Sequence, residues 1–87
     1  MPLKNKIKVH RAIHDLTQEQ LAEKVGVTRK TINTIERGHF VPSTLLALKI
    51  SYVFGVSVEE VFTLDEEEKA GLVREGEIDV TIASDEE

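Results

Sequence analysis

Apolar residues recur at three- and four-residue spacing in five short stretches, each bounded by a capping residue or a glycine, and this predicts five short helices. The first, over residues 3–14, puts Leu3, Ile7 and Arg11 four residues apart on one face. The second opens at Thr17-Gln18-Glu19-Gln20, where the Thr17 hydroxyl can accept from the Gln20 amide while the Gln20 side chain reaches back, and it ends near Val25-Gly26. The third starts with Thr28 as N-cap and stops at Gly38. Pro42-Ser43 restarts the chain, and Ser43 caps a fourth helix over 44–54 whose core stripe is Leu46, Ile50 and Phe54, closed by Gly55. Ser57-Val58-Glu59-Glu60 is a second capping box, opening a fifth helix that buries Val61 and Phe62 before the pattern fails at Thr63.

Beyond Leu64 the pattern changes. Asp65-Glu66-Glu67-Glu68 is a like-charge run that reads as a solvated helix start or a flexible link. Ile78, Val80 and Ile82 then alternate with Asp79 and Thr81, the period of a strand with one apolar face, over 77–83. One strand leaves its backbone groups unpaired. Swapped pairing in a dimer, a groove on the head, a binding protein and plain disorder are all open, with swapping favoured. The chain therefore divides into a helical head, 1–64, and a C-terminal extension, 65–87.

The 87 residues allow one compact domain plus a tail. No apolar run approaches the roughly 20 residues of a membrane span, and Met1–Lys8 interleaves its apolar residues with lysines, unlike a signal peptide. A cytoplasmic protein without a membrane partner is expected. With no cysteine there is no disulfide, thiolate metal site or cysteine nucleophile. The net charge of −5 hides an asymmetry. Residues 1–58 hold nine Lys/Arg against four Asp/Glu, net +5, whereas 59–87 hold two against twelve, net −10. A basic head suits nucleic acid, and the acidic extension reads as a solubilising tail. His10 and His14 share the i, i+4 spacing of metal ligands but lack a third and fourth partner, so no metal is expected. Neither a catalytic set nor a phosphate-cradling glycine loop occurs, so neither an enzyme nor a cofactor is expected.

Residues 18–37 carry the function. Helix, three-residue turn and helix follow one another, with Ala22 where the two helices cross and Gly26 in the turn, where a positive φ is needed and a Cβ is expected to clash. Leu21, Val25, Val27, Ile32 and Ile35 are the inward positions. Arg29, Lys30, Asn33 and Thr34 are left facing outward, with side chains suited to base edges and phosphates.

The stretches Leu16-Thr17-Gln18-Glu19-Gln20-Leu21-Ala22, Val25-Gly26-Val27-Thr28-Arg29-Lys30-Thr31-Ile32, Ile35-Glu36-Arg37-Gly38, Pro42-Ser43 and Val53-Phe54-Gly55-Val56-Ser57-Val58-Glu59-Glu60-Val61-Phe62 resemble the Cro/phage-repressor (XRE) family of helix-turn-helix regulators. The likeness runs over residues 3–64. It implies an all-α, five-helix, lambda-repressor-like domain that binds double-stranded DNA as a homodimer, a sequence-specific regulator and in particular a repressor. It further implies that Gln18 contacts phosphate and braces helix three, and that Arg29, Lys30 and Thr34 read bases. Thr31, Arg37 and His39 are then near the sugar-phosphate backbone, and Thr28 and Asn33 complete the DNA-facing set. Arg11 and Glu36 match a buried ion pair.

The chain also departs from the family. Asp15 stands where glycine is common, which calls on aspartate's tolerance of left-handed geometry. His10 stands where leucine is common, and Val9, Ile13 and Leu45 are apolar where relatives often carry charge, so this surface is expected to receive either the tail strand or a second subunit. The competing function is a protein-binding adaptor or antitoxin-like module whose acidic tail engages a partner.

Overall fold

Leu3–Asn5 is a strand, not the first turn of a helix. In the computed structural model, which describes residues 3–75, this strand, β1, precedes helix α1 (Ile7–Ile13) and pairs antiparallel with β2 (Phe62–Leu64). Leu3 lies opposite Leu64, Lys4 opposite Thr63 and Asn5 opposite Phe62. The expected helix over 3–14 is thus shorter, while the expected compact helical fold holds, with a small two-stranded sheet added to it. The reason is where the backbone hydrogen bonds go. The Lys6 amide donates to the Val61 carbonyl at 2.8 Å, and Asn5 Oδ1 accepts from the Ile7 amide at 3.2 Å, so the chain turns into α1 only at Ile7. Thr63, where the helical pattern fails, lies in β2.

Between the strands run α2 (Gln18–Val25), α3 (Arg29–Glu36), α4 (Thr44–Phe54) and α5 (Val58–Val61), and α6 (Glu66–Ala70) follows β2. Thr17, Thr28 and Ser43 cap α2, α3 and α4 by accepting from the amides of Gln20, Thr31 and Leu46. Asp65 caps α6 by accepting from the Glu68 amide at 2.9 Å, so the acidic run is a solvated helix start. Asp15 takes the left-handed conformation, φ 54°, in the turn between α1 and α2.

Ile7, Leu21, Ile32, Ile35, Ile50 and Val61 are fully buried and join α1 through α5 in one core. His10 and His14 both stack on Phe54, with ring centroids 5.3 and 5.6 Å apart, and His10 Nε2 lies 3.2 Å from the Glu60 carbonyl oxygen. Both histidines therefore tie α1 to the end of α4. Helix α4 is apolar nearly all round, and its outer face leaves Leu45, Leu48 and Tyr52 exposed, Tyr52 by 87%. Val9 and Ile13 are exposed as well. The strand expected at 77–83 lies outside the described residues.

Candidate nucleic-acid interface

Helices α2 and α3 pack across Ala22, which is buried. The Thr17 capping box closes with Gln20 N to Thr17 Oγ1 at 3.0 Å and Thr17 N to Gln20 Oε1 at 2.9 Å. Gly26 ends α2 at φ +77°, and a Cβ built there meets nothing within 4 Å. The expected clash is absent. The turn needs glycine for its backbone dihedral, since L-residues with a side chain avoid positive φ.

Five side chains, Asn5, Arg11, Gln18, Asn33 and Glu36, fix the orientation of α3. Arg11 Nε donates to Glu36 Oε2 at 2.6 Å, Arg11 Nη2 to Glu36 Oε1 at 3.1 Å, and Arg11 Nη1 to the Leu16 carbonyl at 2.9 Å. The pair is mostly shielded, with side-chain exposure of 15% for Arg11 and 8% for Glu36. Gln18 Nε2 donates to both Glu36 Oε1, at 3.1 Å, and Asn33 Oδ1, at 3.2 Å. Asn5 Nδ2 donates to the Ile35 carbonyl at 3.0 Å, linking β1 to the end of α3. Both amide hydrogens of Gln18 are therefore engaged inside the protein, and a phosphate contact through them requires one bond to be given up. Asn33 is half-buried, with its Oδ1 turned toward Gln18.

The remaining candidates fall on two flanks of α3. Arg29 lines a cleft of about 480 Å³ with Arg11, Thr17, Gln18 and Glu19, beside the start of α2. Lys30, Thr31 and Thr34 line a separate cleft of about 190 Å³ with Phe40. Thr28, Arg29, Lys30, Arg37 and His39 are exposed, and Thr31, Asn33 and Thr34 are half-buried. Arg29, Lys30 and Arg37 make no ion pair among the described residues. At the far end Gly38 takes φ +78°, its amide donates to the Ile35 carbonyl at 2.9 Å, and the His39 amide donates to the Thr34 carbonyl at 2.9 Å. This double bond pattern stops α3 and holds His39 and Phe40 beside it.

Phe40 lies outside the set of residues that helical periodicity and the family resemblance point to. The available signal was a large apolar residue between two chain stops, Gly38 and Pro42, outside any helical core stripe.

The helix-turn-helix family profile matches residues 7–61, which span α1 through α5. The chain belongs to the Cro/C1-type (XRE) helix-turn-helix family. It is 52% identical over 66 residues to an uncharacterized HTH-type transcriptional regulator of Methanocaldococcus jannaschii, covering 76% of this chain and all of that one. It is 54% identical over 65 residues to the uncharacterized HTH-type transcriptional regulator YgzD of Bacillus subtilis, covering 75% and 98% of the two chains. Among solved structures it is similar to a putative DNA-binding protein from Bacteroides fragilis, with TM-score 0.64, 26% identity and coverage of 70% and 98%. It is also similar to a chain of the SinR protein/SinI protein complex, with TM-score 0.58, 35% identity and coverage of 90% and 74%. Family membership makes this chain a transcriptional regulator with a helix-turn-helix DNA-binding fold, in a family of DNA-binding regulators and not of enzymes. Among the described residues no cluster of three His, Asp or Glu side chains is placed to hold a metal ion, and no helix is long and apolar enough to cross a membrane.

Proposed function

We propose that two copies of this chain bind one pseudo-palindromic operator, each laying α3 in the major groove, and that occupancy represses transcription. The observation that carries the reading is that Arg29 and Lys30 on α3 and Arg37 at its C-cap are exposed, three cations without an ion-pair partner among the described residues, on a helix held by the Arg11–Glu36–Gln18 network. Arg29 and Lys30 are given base edges, where long cationic side chains suit guanine O6 and N7. Asn33 contributes through its amide nitrogen, and Thr34 through its outward surface. Thr28, Thr31, Arg37 and His39 take the sugar-phosphate backbone, which supplies affinity without sequence choice. Gln18 holds α3 in place.

The apolar outer face of α4 supports the dimer, because Leu45, Leu48 and Tyr52 form an uncovered stripe at i, i+3 and i+7 on a helix already buried on its other side. A second copy covering that stripe has to bring the two α3 helices about 34–36 Å apart to meet successive major grooves. Residues 1–64 are the DNA-binding head and 65–87 an acidic extension that like charge holds off the duplex, in a protein acting in the cytoplasm.

Selection from randomised duplexes at fixed, stated salt tests this. The full chain is expected to enrich a two-fold symmetric site. Lys30→Ala is expected to relax the preference at one base per half-site, and Arg37→Ala to weaken all sequences alike and to lower the slope of log K against log salt by about 1. Failure to enrich any sequence over background overturns the reading.

A further inference from the structure

The recognition row ends at a notch whose chemistry differs from that of the cationic row beside it. Phe40 is 50% exposed and lines the cleft of about 190 Å³ with Lys30, Thr31 and Thr34. It is held on both sides. The Gly38 and His39 amides are bonded back to the Ile35 and Thr34 carbonyls, and Pro42, two residues on, is buried. The two threonine hydroxyls are turned to local partners, Thr34 Oγ1 donating to the Lys30 carbonyl and Thr31 Oγ1 lying 3.1 Å from Thr28 Oγ1. The notch is therefore mainly apolar, formed by an aromatic ring, threonine methyl groups and the methylene stem of Lys30.

In the major groove duplex DNA offers base-edge donors and acceptors, and one apolar group, the C5-methyl of thymine. We infer that Phe40, with the methyl group of Thr34, receives a thymine methyl and makes this protein specific for thymine at one position of each half-site. The inference rests on α3 entering the major groove, and it adds to the recognition surface a residue outside the helix-turn-helix. Lys30 alongside fits an acceptor on a neighbouring base or phosphate, so the pair reads an apolar and a polar feature side by side. The one other apolar surface DNA presents there, the deoxyribose face, carries no sequence information.

The test uses the full chain and the operator it selects, with each thymine replaced in turn by deoxyuridine, which removes the methyl group and nothing else. The unaltered protein is expected to lose about fourfold in affinity at one thymine per half-site, the equivalent of roughly 0.8 kcal/mol for one buried methyl group. Phe40→Ala is expected to bind the thymine and deoxyuridine duplexes equally, with its fold checked by thermal melting, while Phe40→Leu keeps part of the discrimination. The scan on the unaltered chain stands even where a variant fails to fold. Indifference at every thymine overturns the inference, as does discrimination that survives in Phe40→Ala. Equal weakening of all sequences by Phe40→Ala, without a deoxyuridine effect, assigns Phe40 to the sugar and overturns it too. In each of these cases an operator is still selected, so the wider reading of α3 stands; if none is selected, both fail.

Discussion

Gln18 on α2 donates to Asn33 on α3 at 3.2 Å, and the same nitrogen donates to Glu36 at 3.1 Å. One side chain thus braces an outward position of α3 and closes the ion pair that anchors its end. Gln18→Ala removes both bonds and leaves a shielded carboxylate with one donor fewer. The expected loss is about 1–3 kcal/mol in urea unfolding, with weaker DNA binding that does not depend on sequence. Loss of base preference without loss of stability would instead assign Gln18 to base reading.

Arg11 and Glu36 are expected to be strongly asymmetric toward mutation. Removing either one strands the other in a shielded site, and Arg11→Met is expected to cost about 3 kcal/mol. The double variant Arg11→Met/Glu36→Leu is expected to recover much of that loss, since it leaves neither charge behind. Chemical denaturation of the single and double variants decides it; additive losses would show that the pair is not coupled.

The α4 stripe carries the proposed subunit contact. Tyr52 is 87% exposed and Leu48 is half-exposed, so neither supports the core of the protomer. Tyr52→Glu or Leu48→Glu is expected to shift the protein to monomer in sedimentation velocity and to abolish the concentration dependence of Tm. Stability of the monomer is expected to change by no more than about 0.5 kcal/mol. A monomeric unaltered chain, or a charged variant that still dimerises, places the subunit contact elsewhere.

Glu60 gives the fold an acid-sensitive cap. The Ser57 backbone amide, which donates to its carboxylate at 2.9 Å, and then the Ser57 hydroxyl hold the Glu60 carboxyl below its ordinary 4.5, aided by the charge of His10 and opposed by burial. Its folded-state value is depressed, so its contribution is complete above the unfolded value and lost as pH falls through the folded one. The Tm advantage of the unaltered protein over Glu60→Gln is expected to be present at neutral pH and to vanish below the carboxylate range. A gap that is constant with pH would show that the charge plays no part.

Much of the fold was legible because its determinants are local. Thr17, Thr28 and Ser43 announce helix starts by hydroxyl chemistry that acts within three residues, and Gly26 and Gly38 mark chain reversals by a dihedral that other residues resist. The outward Arg29 and Lys30 follow from helical periodicity once Ile32 and Ile35 are placed inside, whereas Arg37 comes from the family resemblance.

What escaped the sequence is what distant residues decide. Leu3 and Ile7 have helical spacing, yet Leu3–Asn5 is a strand because Phe62–Leu64, some sixty residues on, supplies its hydrogen-bond partners. Asn33 looks fully outward on the helical period, yet Gln18 draws its carbonyl oxygen inward. Phe40 has no period of its own, and only the close of α3 sets its ring against Lys30, Thr31 and Thr34. Local signals set the starts of α2, α3 and α4, the core face and the outward Arg29 and Lys30, because capping, periodicity and backbone preference act over one or two turns. Contacts between distant segments decided the strand pairing, and with it the late start of α1, and the inward turn of Asn33, because each needs two segments that meet only after the chain has folded.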